Sequence, residues 1–284
     1  MINYSFTKLS GAGNDFILFD KKINPQVEFT PQVIKKLANR QAGIGADGVL
    51  VISDVDGYAF GMNYYNADGS TGSLCGNGAR CAILYGKESG RIDEDKIKFV
   101  ANGTEYSGKV LDDGVVRLYL NQPSNLKYNF KIKAANQLIN ASYVDTGAPH
   151  VVINIGDVLR NVADHNSFYM DLNAFPVKEL GREIRYNKDF APEGTNVNFI
   201  KIEDGVIKIR SYERGVEDET LSCGTGSVAA AVISYTNYLL KPPISLFSKS
   251  GANLVVNFKI ENQRMQDLSL TGPAEITFKG EITI

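Results

Sequence analysis

The chain has 284 residues, 43% of them hydrophobic, which is enough for one large domain or for two lobes with cores of their own. Its 30 basic and 32 acidic residues are interspersed and leave a net charge of −2, which points away from a nucleic-acid partner and from a basic membrane-surface helix. Three cysteines are too few, and odd in number, for a secreted disulfide scaffold, and no apolar run has the length that spans a bilayer.

The opening stretch "MINYSFTKLSGAGNDF" has no charged-then-apolar leader pattern, so a soluble cytoplasmic protein is expected. "DFILFD" (15–20) reads as the first clear strand. "TPQVIKKLANRQAG" (30–43) reads as a helix with Thr30 as N-cap, Pro31 in the first turn and Gly43 as the stop, with Val33, Ile34 and Leu37 on one face. "GVLVISD" (48–54) is a strand, and a small-residue helix starts just after Cys75 and ends near Gly90. "KIKFVA" (96–101), "GVVRLYL" (114–120), "PHVVINI" (149–155) and "GVIKIRSYE" (205–213) are further strands. A third helix begins just after Cys223 and stops at "KPP" (241–243), and "NLVVNFKI" (253–260) and "AEITFKGEITI" (274–284) close the chain as strands.

"SLCGNGARCA" (73–82) and "SCGTGSVAAA" (222–231) say nearly the same thing 148 residues apart. At that offset Gly76 matches Gly224, Gly78 matches Gly226, Ala82 matches Ala230, Phe99 matches Phe247 and Gly103 matches Gly251; Asn66 and Arg214 each lie nine residues before their cysteine. The agreement runs beyond the helices, which favours duplication over chance. The expected class is α/β (α+β): two pseudo-symmetric lobes, each a strand-rich, barrel-like sheet wrapped around a central helix that starts at a thiol.

A helix start offers unpaired N–H groups and the positive end of the dipole, so a cysteine there has its pKa lowered, and Gly-x-Gly lets backbone come close to a bound anion. A ligand carboxylate could then rest on the amides of Gly76 and Asn77 and on those of Gly224 and Thr225. Two such thiols suit proton exchange at a carbon: one thiolate removes a proton, the other thiol returns one to the opposite face, and the developing enolate is stabilised by the helix starts. Cys81 falls on another helix face and reads as core. His165 has no motif around it and reads as a solvated loop residue. No Cys/His cluster has zinc spacing, so no metal is expected.

Together, "GAGNDF" (11–16), "GIGADG" (43–48), "NADGSTGSLCGNGARC" (66–81), "TGAPHVV" (146–152), "PEGTNVNF" (192–199), "YERGVEDETLSCGTG" (212–226) and "LTGPAEITFKGE" (270–281) resemble the diaminopimelate epimerase family, in order and over nearly the whole chain. The resemblance implies a cofactor-independent isomerase, a homodimer, that interconverts LL- and meso-2,6-diaminopimelate in lysine and peptidoglycan precursor biosynthesis. It also implies that the last strand crosses back, giving an N-terminal lobe of 1–120 plus 272–284 with Cys75 and a C-terminal lobe of 121–271 with Cys223. Carried over, Cys75 resembles the thiol donor and Cys223 the thiolate acceptor for the LL direction, with His150 and Glu213 as the groups that tune the cysteines and help deprotonate them. Gly76, Asn77, Gly224 and Thr225 resemble the carboxylate-binding amides. Asn14, Asn66, Asn196, Glu213 and Arg214 resemble the remaining substrate shell, Arg214 facing a distal carboxylate.

Three positions depart from the family's common pattern: Ala148 in place of an asparagine, Ser10 in place of histidine or glutamine, and Gly48 in place of a glutamine. The nearest alternative is a proline or hydroxyproline racemase, which the resemblance distinguishes by a histidine where this chain has Asn77. A phenazine-biosynthesis-type isomerase lacks the cysteine pair, and a thiol redox sensor would act through a Cys75–Cys223 disulfide.

Overall fold

The computed structural model describes residues 2–72, 74–92, 96–111 and 114–284; Ser73 of the first cysteine motif lies outside them. The chain divides into two units, Met1–Leu120 with Ser269–Ile284, and Asn121–Leu268. Among the described residues no helix is long and apolar enough to cross a membrane.

In the first unit, β1 (Asn3–Gly11) and β2 (Asn14–Asp20) form a hairpin whose two-residue turn, Ala12–Gly13, has φ of 58° and 96°. Positive φ at both positions is the turn geometry that follows strand twist. β3 (Gly48–Val55) adds parallel to β2, β4 (Tyr58–Asn66) antiparallel to β3, and β5 (Ile97–Ala101) parallel to β4. β6 (Thr104–Val110) and β7 (Val115–Tyr119) continue antiparallel. The C-terminal strands fill both edges: β16 (Arg264–Pro273) pairs with β7 and β17 (Glu275–Thr283) with β1, only Ala274 separating the two in sequence. The sheet is thereby tied into a closed wrap.

α1 (Pro31–Ala38) lies between β2 and β3. Thr30 caps it, accepting a hydrogen bond from the Val33 N–H. The helix stops five residues before Gly43, earlier than expected, because the Asn39 side chain accepts from the N–H groups of Gln41 and Ala42 and turns the chain. Gly43 instead folds back on the helix end, where a Cβ would meet the Lys36 carbonyl oxygen at 2.0 Å. α2 (Gly76–Glu88) is buried all round from Gly76 to Gly86 and touches β1, β2, β3, β4, β6, β7 and β17. An all-round buried helix needs small residues where strands come close. Gly11 is one such approach from the strand side: a Cβ there would lie 2.9 Å from the Asn77 carbonyl oxygen and 3.0 Å from Cys81 Sγ.

The second unit repeats the order. β8 (Ser124–Ala134), β9 (Gln137–Asp145) and β10 (Pro149–Asn154) are antiparallel, and β11 (Asn196–Glu203) is parallel to β10. β12 (Val206–Glu213) is antiparallel to β11, β14 (Ile244–Phe247) parallel to β12, and β15 (Asn253–Glu261) antiparallel to β14. β13 (Asp218–Thr220) is a short antiparallel strand on β12, and its counterpart in the first unit is the single antiparallel bridge between Tyr65 and Thr71. α4 (Gly224–Tyr238) is the buried helix of this unit, touching β9, β10, β11, β12, β14 and β15.

Sequence reading misses one helix. α3 (Val177–Arg185) lies between β10 and β11, as α1 lies between β2 and β3. Val177, Leu180, Gly181 and Ile184 form its buried stripe, a spacing of three and four that identifies a helix. The 148-residue offset would also have found it, since α1 maps onto 179–186. Register makes a second correction. Val49 pairs with Tyr65 and Val197 with Tyr212, so the residue matching Asn66 is Glu213, not Arg214. The turn from Tyr212 to its partner Glu219 is one residue longer than the turn from Tyr65 to its partner Thr71, and β4 makes up the count with one extra residue between Tyr58 and Gly61, opposite Ser53–Val55.

Candidate active site

Each of the two buried helices takes a cysteine as its N-cap. Cys75, in extended backbone at φ −91° and ψ 110°, accepts at Sγ from the Gly78 N–H, 3.5 Å away. Cys223, at φ −116° and ψ 110°, accepts from the Gly226 N–H at 3.4 Å. Sulfur thus stands where a serine or aspartate oxygen usually caps. A thiolate there gains from the N–H groups and from the dipole. Gly76, Asn77, Gly224 and Thr225 occupy the first two helical positions, whose N–H groups have no acceptor within the helix. Cys75 is partly exposed, whereas Cys223 and Cys81 are buried. Burial pushes the Cys81 thiol up to about 12, so it stays protonated and belongs to the core.

Around Cys75 the motifs assemble into one polar line. Asn77 donates through Nδ2 to Asn14 Oδ1, and Asn14 Nδ2 donates to Asp47 Oδ2 at 3.0 Å. Asp47 and Asp15 are locked together: the Asp47 N–H donates to Asp15 Oδ1, and Arg40 bridges both carboxylates at 2.7 Å. Lys8, buried, reaches Asp15 at 2.7 Å and the Gly45 carbonyl. Burial works against the Asp15 charge, but hydrogen bonds from Arg40 and Lys8 outweigh it and hold the carboxyl at about 2. "GAGNDF" and "GIGADG" therefore fix the amide of Asn14 against the start of α2. Asn66 stands at the end of β4 and gives its Nδ2 to Ser70 Oγ at 2.9 Å.

On the other side of Asn77 lies Arg80, fully buried in α2. Its Nη2 donates to Asn77 Oδ1 at 3.0 Å and its Nη1 to the Gly76 carbonyl at 3.3 Å, while Nε has no hydrogen-bond partner. Among the described residues it forms no ion pair. Burial pulls its pKa down to about 10, and the Cys81 and Cys75 sulfurs push it back up. A buried cation without a carboxylate favours an anion at the helix start. Sequence reading passes over Arg80 because it sits inside a run of small helical residues.

Around Cys223 the line is different. Thr225 Oγ1 lies 3.7 Å from Cys223 Sγ and 2.9 Å from His150 Nε2. His150 Nδ1 meets Asn198 Nδ2 at 3.1 Å, and Asn198 also donates to the Val151 carbonyl at 3.0 Å and accepts from Ser211 Oγ at 2.8 Å. Burial first, then the charge of Arg214, lowers the His150 pKa to about 3, so its imidazole is neutral at physiological pH. Asn198 and Ser211 are absent from the sequence reading; their signal is a polar residue at an inward strand position, between Val197 and Phe199 and between Arg210 and Tyr212.

Asn196 uses its amide within the protein, donating to the Pro149 carbonyl and accepting from the Arg214 N–H, both at 2.9 Å. It fastens the end of β12 to the start of β10. Glu213 accepts at Oε1 from Thr220 Oγ1. The Arg214 guanidinium makes no ion pair among the described residues, although it sits close enough to His150 to act on its charge. Of the three departures, Gly48 has a clear reason: a Cβ there would lie 2.4 Å from Tyr64 Cε2, so the Tyr64 ring occupies the space of a side chain. Ala148 is buried and its carbonyl accepts from the Thr146 N–H, and Ser10 is a paired residue of β1. His165 is exposed.

The fold is shared with solved structures of other enzymes. A phenazine biosynthesis protein of the PhzF family from Bacillus anthracis superposes with a TM-score of 0.72 at 14% identity, over all of both chains. A probable proline racemase from Agrobacterium radiobacter, with bound carbonate, gives 0.72 at 13%, covering 99% of this chain and 93% of that one. At such identities the likeness is one of fold. Sequence narrows it further. The family model described as diaminopimelate epimerase matches residues 6–124 and 142–277. Diaminopimelate epimerase of Chlorobaculum tepidum is 37% identical, over 97% of this chain and all of its own. The proteins of that name from Methanocella arvoryzae and Aquifex aeolicus are 36% and 32% identical, over 100% and 98% of this chain and 98% and 97% of theirs. By these matches across nearly its full length, the chain belongs to the diaminopimelate epimerase family.

Proposed function

We propose that this protein interconverts LL- and meso-2,6-diaminopimelate without a cofactor, by proton transfer between two thiols and one α-carbon. In the LL direction the Cys223 thiolate removes the α-proton, and the Cys75 thiol returns one to the opposite face. The roles exchange in reverse. The observation that carries this reading is the pair of cysteine N-caps at equivalent places of the repeat, each bonded to the third N–H of a buried helix. Gly76 and Asn77 at the start of α2, and Gly224 and Thr225 at the start of α4, supply amides of the kind that suit the reacting carboxylate, and a helix start favours the charge that develops as the α-proton leaves. Arg214, with no internal ion pair among the described residues, suits the distal carboxylate of a diacid. Glu213 and the Asn14 and Asn66 amides suit the ammonium groups. The pathway is that of lysine and peptidoglycan precursors, and the protein works in the cytoplasm as a homodimer.

The test is incubation with LL-diaminopimelate in deuterated water under reducing conditions, followed by mass spectrometry and chiral chromatography. One deuterium at an α-carbon and formation of the meso isomer are expected, and each Cys→Ala variant should abolish both. Exchange of proline instead, or activity that requires oxidised thiols, refutes the assignment.

A further inference from the structure

The side chains beneath Cys223 and beneath Cys75 occupy the same places in the repeated sheet, yet differ in kind. His150 pairs across to Asn196, and Asn198, two residues on, pairs with Ser211. In the first unit Phe16 pairs with Gly48, and Leu50, two residues on, pairs with Tyr64. The helix agrees: a Cβ on Gly226 would meet Asn198, and one on its match Gly78 would meet Leu50 and Phe16. So His150, Asn198 and Ser211 stand where Phe16, Leu50 and Tyr64 stand. The apolar set packs as a core does, Phe16 edge-on to Tyr64 with ring centroids 6.2 Å apart. The frame therefore needs no polar groups at these positions. Burying an imidazole, a carboxamide and a hydroxyl there costs free energy unless each is hydrogen-bonded.

The direction of the bonds can be assigned. The Val151 carbonyl only accepts, which fixes the Asn198 nitrogen as the atom facing both it and His150 Nδ1. His150 Nδ1 then accepts, and the ring proton is on Nε2. Nε2–H donates to Thr225 Oγ1, and the hydroxyl proton of Thr225 is left to point at Cys223 Sγ. The Thr225 backbone is held as well, because Thr146 Oγ1 donates to its carbonyl at 3.1 Å.

We propose that the Thr225 hydroxyl is the hydrogen-bond donor that holds Cys223 as a thiolate, with neutral His150, Asn198 and Ser211 as the positioning residues that aim it. The proposal rests on the reading of Cys223 as an acid–base group. When Cys223 takes the substrate α-proton, an S–H bond forms, the C–H pair stays on carbon, and the Thr225 and His150 protons do not move. His150 acts as a fixed donor and not as a base, in keeping with its depressed pKa. The charged group that acts on it is Arg214.

The test compares Thr225→Val and Thr225→Ser with the wild type near neutral pH, reading two quantities. The first is the iodoacetamide alkylation rate of Cys223 and of Cys75, resolved by peptide mass spectrometry without substrate; the second is kcat and KM for epimerisation. A hydrogen bond to a charged group sets the scale, so Thr225→Val should slow Cys223 alkylation and lower kcat by roughly ten- to hundred-fold, with KM changed by less than about three-fold and Cys75 unaffected. Thr225→Ser keeps the hydroxyl and should recover most of both. Asn198→Asp supplies a second route: an acceptor there moves the ring proton to Nδ1, turns Nε2 into an acceptor and draws the Thr225 proton away from sulfur. It should slow Cys223 with Thr225 intact. The proposal is overturned if Cys223 keeps its wild-type rate in Thr225→Val or Asn198→Asp, or if Thr225→Ser fails as Thr225→Val does. Because alkylation is read without substrate, this result stands apart from any failure of the diaminopimelate assignment.

Discussion

Gly226 and Gly78 hold the same place in the repeat, yet alanine should be tolerated at only one of them. A methyl at Gly226 would lie 2.2 Å from Asn198 Oδ1, 3.2 Å from its Cγ and 3.1 Å from Cys223 Sγ. Asn198 cannot withdraw, because bonds to Val151, His150 and Ser211 hold it from three sides. At Gly78 the new methyl meets Leu50 Cδ2 at 3.1 Å and Phe16 Cε1 at 3.4 Å, the first being the end of a rotatable chain. Overpacking costs about 1–3 kcal/mol and a broken buried hydrogen bond about 1–3 more, while alanine in a helix returns about 1. Gly226→Ala should therefore lose about 3 kcal/mol, and Gly78→Ala should stay within about 1 kcal/mol of the wild type. Urea unfolding of both variants measures the difference, and kcat should fall in Gly226→Ala because the displaced Asn198 no longer aligns His150. Equal stabilities for the two variants would refute the claim that Asn198 is locked beneath α4.

Two further outcomes follow from buried charge. His150 ionises near 6.5 when unfolded and near about 3 when folded, so between these values the unfolded chain takes up a proton that the native one does not. Its share of stability is complete above pH 6.5 and is lost on acidification, at about 1.4 kcal/mol per pH unit. Asp15, held at about 2, loses its own share only below 3.8. Urea midpoints of the wild type and His150→Gln between pH 7 and 4 should converge as pH falls; parallel curves would show that His150 is not buried as a neutral ring. Arg80→Met removes the cation near Cys75. Cys75 alkylation near neutral pH should slow about ten-fold for each unit its pKa rises, with Cys223 unchanged. An unaltered Cys75 rate would mean that the guanidinium serves packing alone.

Much of the frame was open to reading from local pattern. Cys75 and Cys223 stand immediately before glycine-rich helical runs, and N-capping is a local event, settled within three residues. Strand alternation and the 148-residue offset are likewise carried by neighbouring residues and by copying. α3 was legible by both its stripe and the offset, yet its charged residues hide the pattern. Asn66 was paired with Arg214 instead of Glu213 because the turn from Tyr212 to Glu219 is one residue longer than the matching turn from Tyr65 to Thr71, a change without any mark in composition.

By itself, then, the order of residues determined two thiol-capped helices, a duplicated strand-rich frame and the motifs of one epimerase family. Tertiary structure alone decided what each side chain does there. His150 meets Thr225 across 75 residues and Asn198 across 48, and Asn77 meets Asn14 across 63. Hydrogen-bond direction, burial of Arg80 and the contrast between an apolar and a polar floor depend on which strands are brought under which helix. Those distances close only when the sheet wraps, and no local propensity encodes them.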